Sequence, residues 1–185
     1  MEHANRETLQ DGLDEIRRAP TEVGTVELIV RRPEVEAREV VSEAQVDLVD
    51  GLVGDCWRTR GSSSTEDGAA NPDAQITVMN ARVTALVARD PARWPLAGDQ
   101  LYVDLDLSAE NLPPGTRLEV GDATLEVTAQ PHLGCGKFVK RFGVDAMKFV
   151  NSEVGRKLNL RGIYAKIVRG GTARTGDVIR RFPGR

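Results

Sequence analysis

Residues 116–128, with the sequence TRLEVGDATLEVT, give the clearest indication of the fold. Apolar and polar residues alternate on both sides of Gly121-Asp122, and a glycine–aspartate pair between two such runs is typical of a β-hairpin. Residues 100–107, QLYVDLDL, alternate in the same way. The middle of the chain is therefore predicted to be β-sheet.

The same pattern extends outward in both directions. Further strands are predicted within residues 25–32, 37–49, 75–78, 162–168 and 177–181. Helical spacing of apolar residues predicts helices over residues 5–18, 80–88 and 137–151. Many short strands, few helices and no regular alternation of the two favour a closed or strongly curled sheet. We expect a mainly β fold, a β-barrel over residues 21–185 with a few short helices, preceded by a helical extension over residues 1–20.

Composition narrows the possible functions. Hydrophobic residues make up 40% of the chain and aromatic ones only 4%, which predicts a globular protein with an aliphatic core. The formal net charge of -3 argues against nucleic-acid binding. No apolar run suits a membrane span or a secretory signal, so a cytoplasmic protein is expected. Two cysteines do not make a disulfide framework, although pairing of Cys56 with Cys135 stays open.

The segment with the most chemical potential is PHLGCGK, residues 131–137. Cys135 lies between two glycines, which give it little cover and let a ligand approach the backbone. His132 precedes it, and Lys137, Lys140 and Arg141 follow. Nearby cations and the start of a predicted helix favour the thiolate, which is both the nucleophile and the metal ligand. The alternative is that Cys135 is simply a small buried hydrophobic residue.

Other candidates are less distinctive. Cys56 is expected to have a packing role, and His132 either contributes to the Cys135 site or is an exposed loop residue. A few converging guanidinium groups would make an anion pocket, whereas dispersed ones are only a solvated surface. The basic residues in loops or at segment ends are Arg58, Arg60, Lys137, Arg156, Lys157 and Arg161.

The order of several short motifs resembles that of the MOSC domain family, named after the C-terminal domain of molybdenum cofactor sulfurases. The motifs are the strand from residue 24, GLVGD at 51–55, QITVM at 75–79, LPPGT at 112–116, VGDATLEVT at 120–128, the Cys135 segment, RGIYA at 161–165, and the glycines of residues 170–177. The resemblance runs from about Thr21 to Arg181, and it is the order and spacing of the motifs that make it specific.

This resemblance implies a β-barrel with one key cysteine, here Cys135. Family members bind molybdenum cofactor (molybdopterin) or carry sulfur, and in molybdenum-bearing relatives the cysteine ligates the metal. Stand-alone bacterial relatives protect against N-hydroxylated base analogues. The family is also associated with pyridoxal phosphate, but no lysine setting here supports that cofactor. The sequence differs from many members in residues 61–73, which lack the usual histidine and are expected to form a mobile surface loop. It includes no lyase domain, so it is not expected to extract sulfur from cysteine itself.

Two hypotheses follow, and a third stays open. In the first, Cys135 ligates molybdenum or holds a persulfide, cationic side chains bind the pterin phosphate, and the protein reduces N-hydroxylated compounds or transfers sulfur. A redox or sulfur-donor protein would be its partner. The cofactor-binding candidates are Arg58, Arg60, His132, Lys137 and Arg156. In the second hypothesis, the barrel is a non-catalytic ligand- or partner-binding module with an inert, buried Cys135. In the third, it serves only as an assembly surface.

Overall fold

The computed structural model describes residues 3–182, in which seven strands close into a β-barrel. The strands of the chain are β1 (Val23–Arg31), β2 (Glu39–Val41), β3 (Glu43–Asp47), β4 (Gly51–Leu52), β5 (Ile76–Asn80), β6 (Leu101–Asp104), β7 (Arg117–Val120), β8 (Ala123–Val127), β9 (Ile163–Arg169), β10 (Gly171–Arg174) and β11 (Val178–Phe182). Around the barrel they run β1-β6-β5-β9-β8-β7-β11, and β11 pairs with β1 to close the ring. The predicted β-barrel is confirmed.

The β7–β8 hairpin forms where the sequence predicts it. Val120 pairs with Ala123 across the turn, and Gly121 has φ 54°. A side chain at Gly121 would lie 2.4 Å from the backbone oxygen of Thr172, so this turn requires glycine for space as well as conformation.

The barrel interior is aliphatic, as the low aromatic content predicts. In β8 the side chains of Ala123, Leu125 and Val127 are buried, and the residues between them are partly exposed. The cluster of buried side chains inside the barrel contains only alanine, valine, leucine and isoleucine among the described residues.

Six helices complete the described chain. They are α1 (Arg6–Asp11), α2 (Leu13–Arg17), α3 (Trp57–Arg60), α4 (Ala81–Ala88), α5 (Gly136–Asn151) and α6 (Glu153–Lys157). Short 3-10 segments occupy Pro72–Ala74 and Pro91–Ala97. Helix α4 and the second 3-10 segment connect the parallel pair β5 and β6, since parallel strands need a crossover. Within residues 3–182, no helix has the length and apolarity needed to span a bilayer.

A second core packs these helices on the outside of the barrel. Leu9, Leu13 and Ile16 join Tyr102 and Phe142 in this cluster. The prediction of a single helix over residues 5–18 is wrong in one respect: the segment forms two helices, α1 and α2, which are separated at Gly12. A β-carbon there would lie 2.5 Å from Cδ2 of Leu86, so a larger residue would require the Leu86 side chain to move.

Three further segments differ from the sequence-based expectation. Residues 37–49, predicted as one β-rich stretch, form two strands that belong to different sheets. Residues 171–174, for which no strand is predicted, form β10, which pairs with β3. Helix α5 has the predicted extent but is broken at Gly143, where φ is 90° and ψ is 166°. Each departure concerns a chain reversal or strand pairing set by distant neighbours.

Candidate functional site

A cavity of about 390 Å³, here called the basic cavity, opens beside the start of α5. Six cationic side chains line it: Arg32, Arg38, Arg60, Lys137, Arg141 and Arg161. His132, Tyr164 and Cys135 contribute to the same wall, and no aspartate or glutamate of the described chain is among the lining residues. The cavity therefore combines a thiol with a strong concentration of positive charge.

Cys135 is a free, exposed cysteine at the position preceding α5. Its backbone is extended, with φ -121° and ψ -178°, and its carbonyl oxygen accepts the hydrogen bond from the Val139 amide. The alternative, in which Cys135 is a small buried hydrophobic residue, does not agree with this exposed position. The thiol is accessible to a ligand in the basic cavity.

The loop before Cys135 is fixed by a residue that the sequence analysis overlooked. The Gly134 amide donates to Oδ1 of Asn151 at 2.8 Å, and Nδ2 of Asn151 donates to the Gly134 carbonyl at 2.9 Å. Asn151 is the last residue of α5, and the break at Gly143 lets that helix turn back toward its own beginning. The two ends of the segment that carries Cys135 are thus joined directly.

Behind Arg161 and His132, which line the cavity, lies a buried acid–base cluster that includes Asp99. Nη1 of Arg161 donates to Oδ2 of Asp99 at 2.6 Å, and Nη2 donates to the Ala97 carbonyl at 3.0 Å. The other Asp99 oxygen lies 3.7 Å from Nδ1 of His132, which is too long for a hydrogen bond. The His132 ring packs against Tyr164, with 4.3 Å between the ring centroids.

Burial determines the charge of this cluster. It lowers the pKa of His132 well below the ordinary 6.5, and neighbouring Arg161 and Arg32 lower it further. The imidazole is therefore neutral at physiological pH. Burial also raises the pKa of Asp99, although Arg161 opposes that change. The cavity wall thus presents a neutral histidine, and the poorly solvated Asp99 carboxyl group is buried behind it.

Arg32 is held from behind by a second buried ion pair. Its Nε and Nη2 donate to the two oxygens of Asp55 at 2.8 and 2.9 Å, a bidentate arrangement. Nη1 donates to the Gly98 carbonyl at 3.0 Å. Asp55 is placed by the backbone amides of Arg32 and Trp57, which donate to it at 2.9 Å.

Glu36 pairs with two of the cations that line the cavity and neutralises part of their charge. It accepts hydrogen bonds from Nζ of Lys137 at 2.6 Å and from Arg141. These two contacts, Lys137 first, lower the pKa of Glu36 to about 2. Arg38, in contrast, has its pKa lowered by burial and by the nearby charge of Arg141. Of the six lining cations, Arg38 and Arg60 are the two that form no ion pair within residues 3–182.

Four buried polar atoms of this region have no hydrogen-bond partner among the described residues. They are Nε of Arg38, Oδ1 of Asp99, Nδ1 of His132 and Nε of Arg161. Buried polar groups in folded proteins are normally paired, so unpaired ones concentrated in one cavity point to a ligand or ordered water that completes them.

The structure brings together four of the six residues predicted for the site, and with them Arg141 and Arg161, which the sequence also indicates as candidate cations. Cys135, Arg60, His132 and Lys137 all line the basic cavity. Arg58 lies elsewhere: it is exposed and its Nη1 contacts Oδ1 of Asp50 at 2.5 Å. Arg156 lines a different cavity, and its Nε donates to the Asn151 carbonyl at 3.0 Å.

Arg32, Arg38 and Asp99 were not identified from sequence. The available signal was weak: Arg32 follows the apolar run of β1, and Asp99 lies two residues before β6. A charged residue at the end of a buried strand is often paired inside the protein, but its partner is not determined by local spacing.

The exposure of the two cysteines predicts a simple alkylation pattern. Cys135 is exposed whereas Cys56 is buried, and the two thiols are not bonded to each other. We expect native protein to take up one equivalent of iodoacetamide rapidly and a second only after denaturation. Mass spectrometry of the digested protein checks the result and identifies the modified residue. Slow alkylation of Cys135 in the native protein would favour the inert-thiol hypothesis.

Fold and site together define a small β-barrel protein with an exposed cysteine at the edge of a basic cavity. The family model of the MOSC domain matches residues 66–180, more than half of the chain. The chain therefore belongs to the MOSC domain family. No curated protein matches the sequence.

Solved structures of bacterial proteins share this fold. The YuaD protein from Bacillus subtilis is 16% identical to this chain and superposes on it with a TM-score of 0.65. The match covers 88% of this chain and 97% of the YuaD chain. YiiM from Escherichia coli is 18% identical, and the match covers 85% of this chain and 69% of the YiiM chain, with a TM-score of 0.55. YiiM from Geobacillus stearothermophilus is 12% identical, with 88% and 73% covered and a TM-score of 0.53. At these identities the likeness establishes the fold alone.

Proposed function

We propose that the basic cavity binds a phosphate-bearing molybdenum cofactor, with the sulfur of Cys135 as a ligand of the metal. The observation that carries this proposal is the exposed thiol at the wall of a cavity lined by six cations and by no acidic residue of the described chain. Membership of the MOSC domain family links the chain to molybdenum-cofactor chemistry in general terms.

The donor set suits such a group. A thiolate is a soft ligand appropriate to the metal, and guanidinium groups are suited to a phosphate. Within residues 3–182, no cluster of three His, Cys, Asp or Glu side chains could hold a metal ion. A metal at Cys135 would therefore have to arrive with its other ligands, as it does when an organic cofactor carries it.

Each residue has a distinct part in this proposal. Arg60 and Lys137 bind the phosphate near the cavity mouth, while Arg161 and Arg38 supply deeper N–H donors. Cys135 provides the sulfur ligand and fixes the position of the metal. His132, neutral and buried, offers a hydrogen-bonding atom beside Asp99 without adding charge. When bound, the cofactor would supply two-electron redox chemistry, suited to the reduction of N-hydroxylated compounds by electrons from a partner protein.

The same exposed thiol is also compatible with sulfur transfer, in which Cys135 would hold a persulfide. Exposure favours this second candidate, because a sulfur donor or acceptor protein must reach the sulfur directly. The two functions differ in whether metal accompanies the protein.

The test is the molybdenum and pterin content of protein co-expressed anaerobically with a cofactor supply. Near-stoichiometric amounts of both support cofactor binding. Neither molybdenum nor pterin, together with sulfide released from the protein by reductant, would replace this proposal with sulfur transfer.

Removing the charge of Glu36 should strengthen anion binding in the cavity. Its pKa of about 2 keeps Glu36 ionised throughout the neutral range, where it competes with an anion for Lys137 and Arg141. We expect Glu36→Gln to bind inorganic phosphate about two- to fivefold more tightly at low salt, the range typical of an exposed ion pair. Isothermal titration calorimetry at pH 7 measures the affinity for phosphate. The difference in affinity between the variant and the wild type should shrink as salt is added. Glu153→Gln, which removes an exposed glutamate paired with Lys157, is the matched control. An equal gain there would indicate only a general charge effect.

A further inference from the structure

A second cavity, here called the apolar cavity, lies on the other side of the segment that precedes Cys135. Its volume is about 260 Å³. It is enclosed by the ends of β8 and β9, the end of α5, and α6. Four buried apolar side chains, Leu112, Val127, Val150 and Ile163, form the part of its wall that belongs to the core. The remaining apolar lining residues, such as Pro114 and Leu133, are exposed.

One charged side chain, that of the exposed Arg156, lines this cavity beside the neutral polar side chains of Thr128, Gln130, His132 and Asn159. Arg156 is held by the hydrogen bond from its Nε to the Asn151 carbonyl, at 3.0 Å. The rest of its guanidinium group has no partner among the described residues. No acidic residue of the described chain lines the cavity. An arginine fixed through Nε with its terminal N–H groups uncommitted is suited to receive a carboxylate.

The two cavities share a wall. Gln130, His132 and Leu133 line both of them. The His132 side chain is only 7% exposed, and its Nδ1 has no hydrogen-bond partner. A ligand in the apolar cavity would therefore be separated from the basic cavity by a single layer of side chains.

We propose that the apolar cavity binds a small aromatic carboxylate, with the ring against the aliphatic wall and the carboxylate on Arg156. Ligand sites are typically apolar spaces with a few placed polar groups, and this one has that composition. Its volume of about 260 Å³ is sufficient for a single aromatic ring. The inference does not depend on a cofactor in the basic cavity.

The test uses benzoate, with benzyl alcohol as its uncharged analogue, in amide-detected NMR titrations of the cofactor-free chain. We expect benzoate to shift the amides of Thr128, Gly162 and Ile163 saturably, with a dissociation constant on the order of 1 mM. Arg156→Gln should weaken benzoate binding about tenfold, as for loss of one charge-assisted hydrogen bond, and leave benzyl alcohol unchanged. Ala129→Trp, at an exposed lining position, should block both compounds without altering the core.

Two controls separate this site from the basic cavity. Arg58→Gln removes an exposed arginine outside both cavities and should leave benzoate binding unchanged. Cys135→Ser should also leave it unchanged, so loss of cofactor binding and loss of this site are separately detectable. The inference is overturned if benzoate shifts only the amides near Lys137 and Arg141, if it shifts none saturably, or if Arg156→Gln binds benzoate like the wild type.

Discussion

Cys135→Ser is expected to lower the molybdenum content of anaerobically co-expressed protein at least about tenfold, with pterin reduced in parallel. A serine hydroxyl stays protonated and is a hard donor, so it replaces a thiolate poorly as a ligand of a soft metal site. The thiol is exposed, and its removal leaves no cavity in either core. The free energy of unfolding should therefore change by no more than about 0.5 kcal/mol.

The control for this experiment is Cys56→Ala, which removes the other thiol. Cys56 is buried and is absent from the lining of the basic cavity, so this variant should keep its molybdenum even if its stability falls. Metal analysis by mass spectrometry and pterin fluorescence give the two readouts. If Cys135→Ser keeps wild-type molybdenum, Cys135 is not the metal ligand and the proposal for the thiol is wrong.

Arg161→Leu is expected to destabilise the fold by about 3–5 kcal/mol, because it leaves the Asp99 carboxylate without its hydrogen-bonded partner. The Asp99 side chain is fully buried, and Arg161 is 9% exposed. Urea unfolding followed by circular dichroism gives the free energy of unfolding. Adding Asp99→Asn to the variant should recover more than half of the loss, since the unpaired charge is then gone. A loss below about 1 kcal/mol in the single variant would mean that Asp99 is not ionised in the wild type.

The pH dependence of this effect has a defined sign. The pKa of Asp99 in the folded protein lies above its ordinary value of 3.8, and loss of Arg161 raises it further. For a carboxyl group whose folded-state pKa is raised, the stability contribution is greatest at low pH and is lost as the pH rises through that pKa. The difference in stability between wild type and Arg161→Leu should therefore be larger at pH 8 than at pH 5.

The sequence predicts the barrel well because its strands are encoded locally. Alternating apolar residues and the turn at Gly121-Asp122 depend on neighbours in the chain, and the β7–β8 hairpin appears in the predicted place. The strand β10 was missed because it is short and pairs with β3, more than a hundred residues earlier. Pairing partners at that separation leave no local pattern.

The candidate site was predicted only in part, for a similar reason. The accessibility of the Cys135 thiol could be predicted because it depends on the two glycines next to it in the sequence. The pairing of Arg161 with Asp99, in contrast, joins residues 62 positions apart. Arg58 and Arg60 show the limit most clearly. They are two residues apart in a short helix, yet Arg60 lines the basic cavity and Arg58 contacts Asp50 outside it. Residue type cannot distinguish them, because the direction of each side chain is set by the fold.

The paired hydrogen bonds between Asn151 and Gly134 have a consequence for ligand affinity. They close residues 134–151 into a ring, so the backbone beside Cys135 is ordered by contacts made entirely within that ring. Ordering a flexible loop on binding opposes affinity, and a loop already ordered in the free protein avoids that cost. The thiol is thus preorganised, and its placement is part of the free energy of folding rather than of binding.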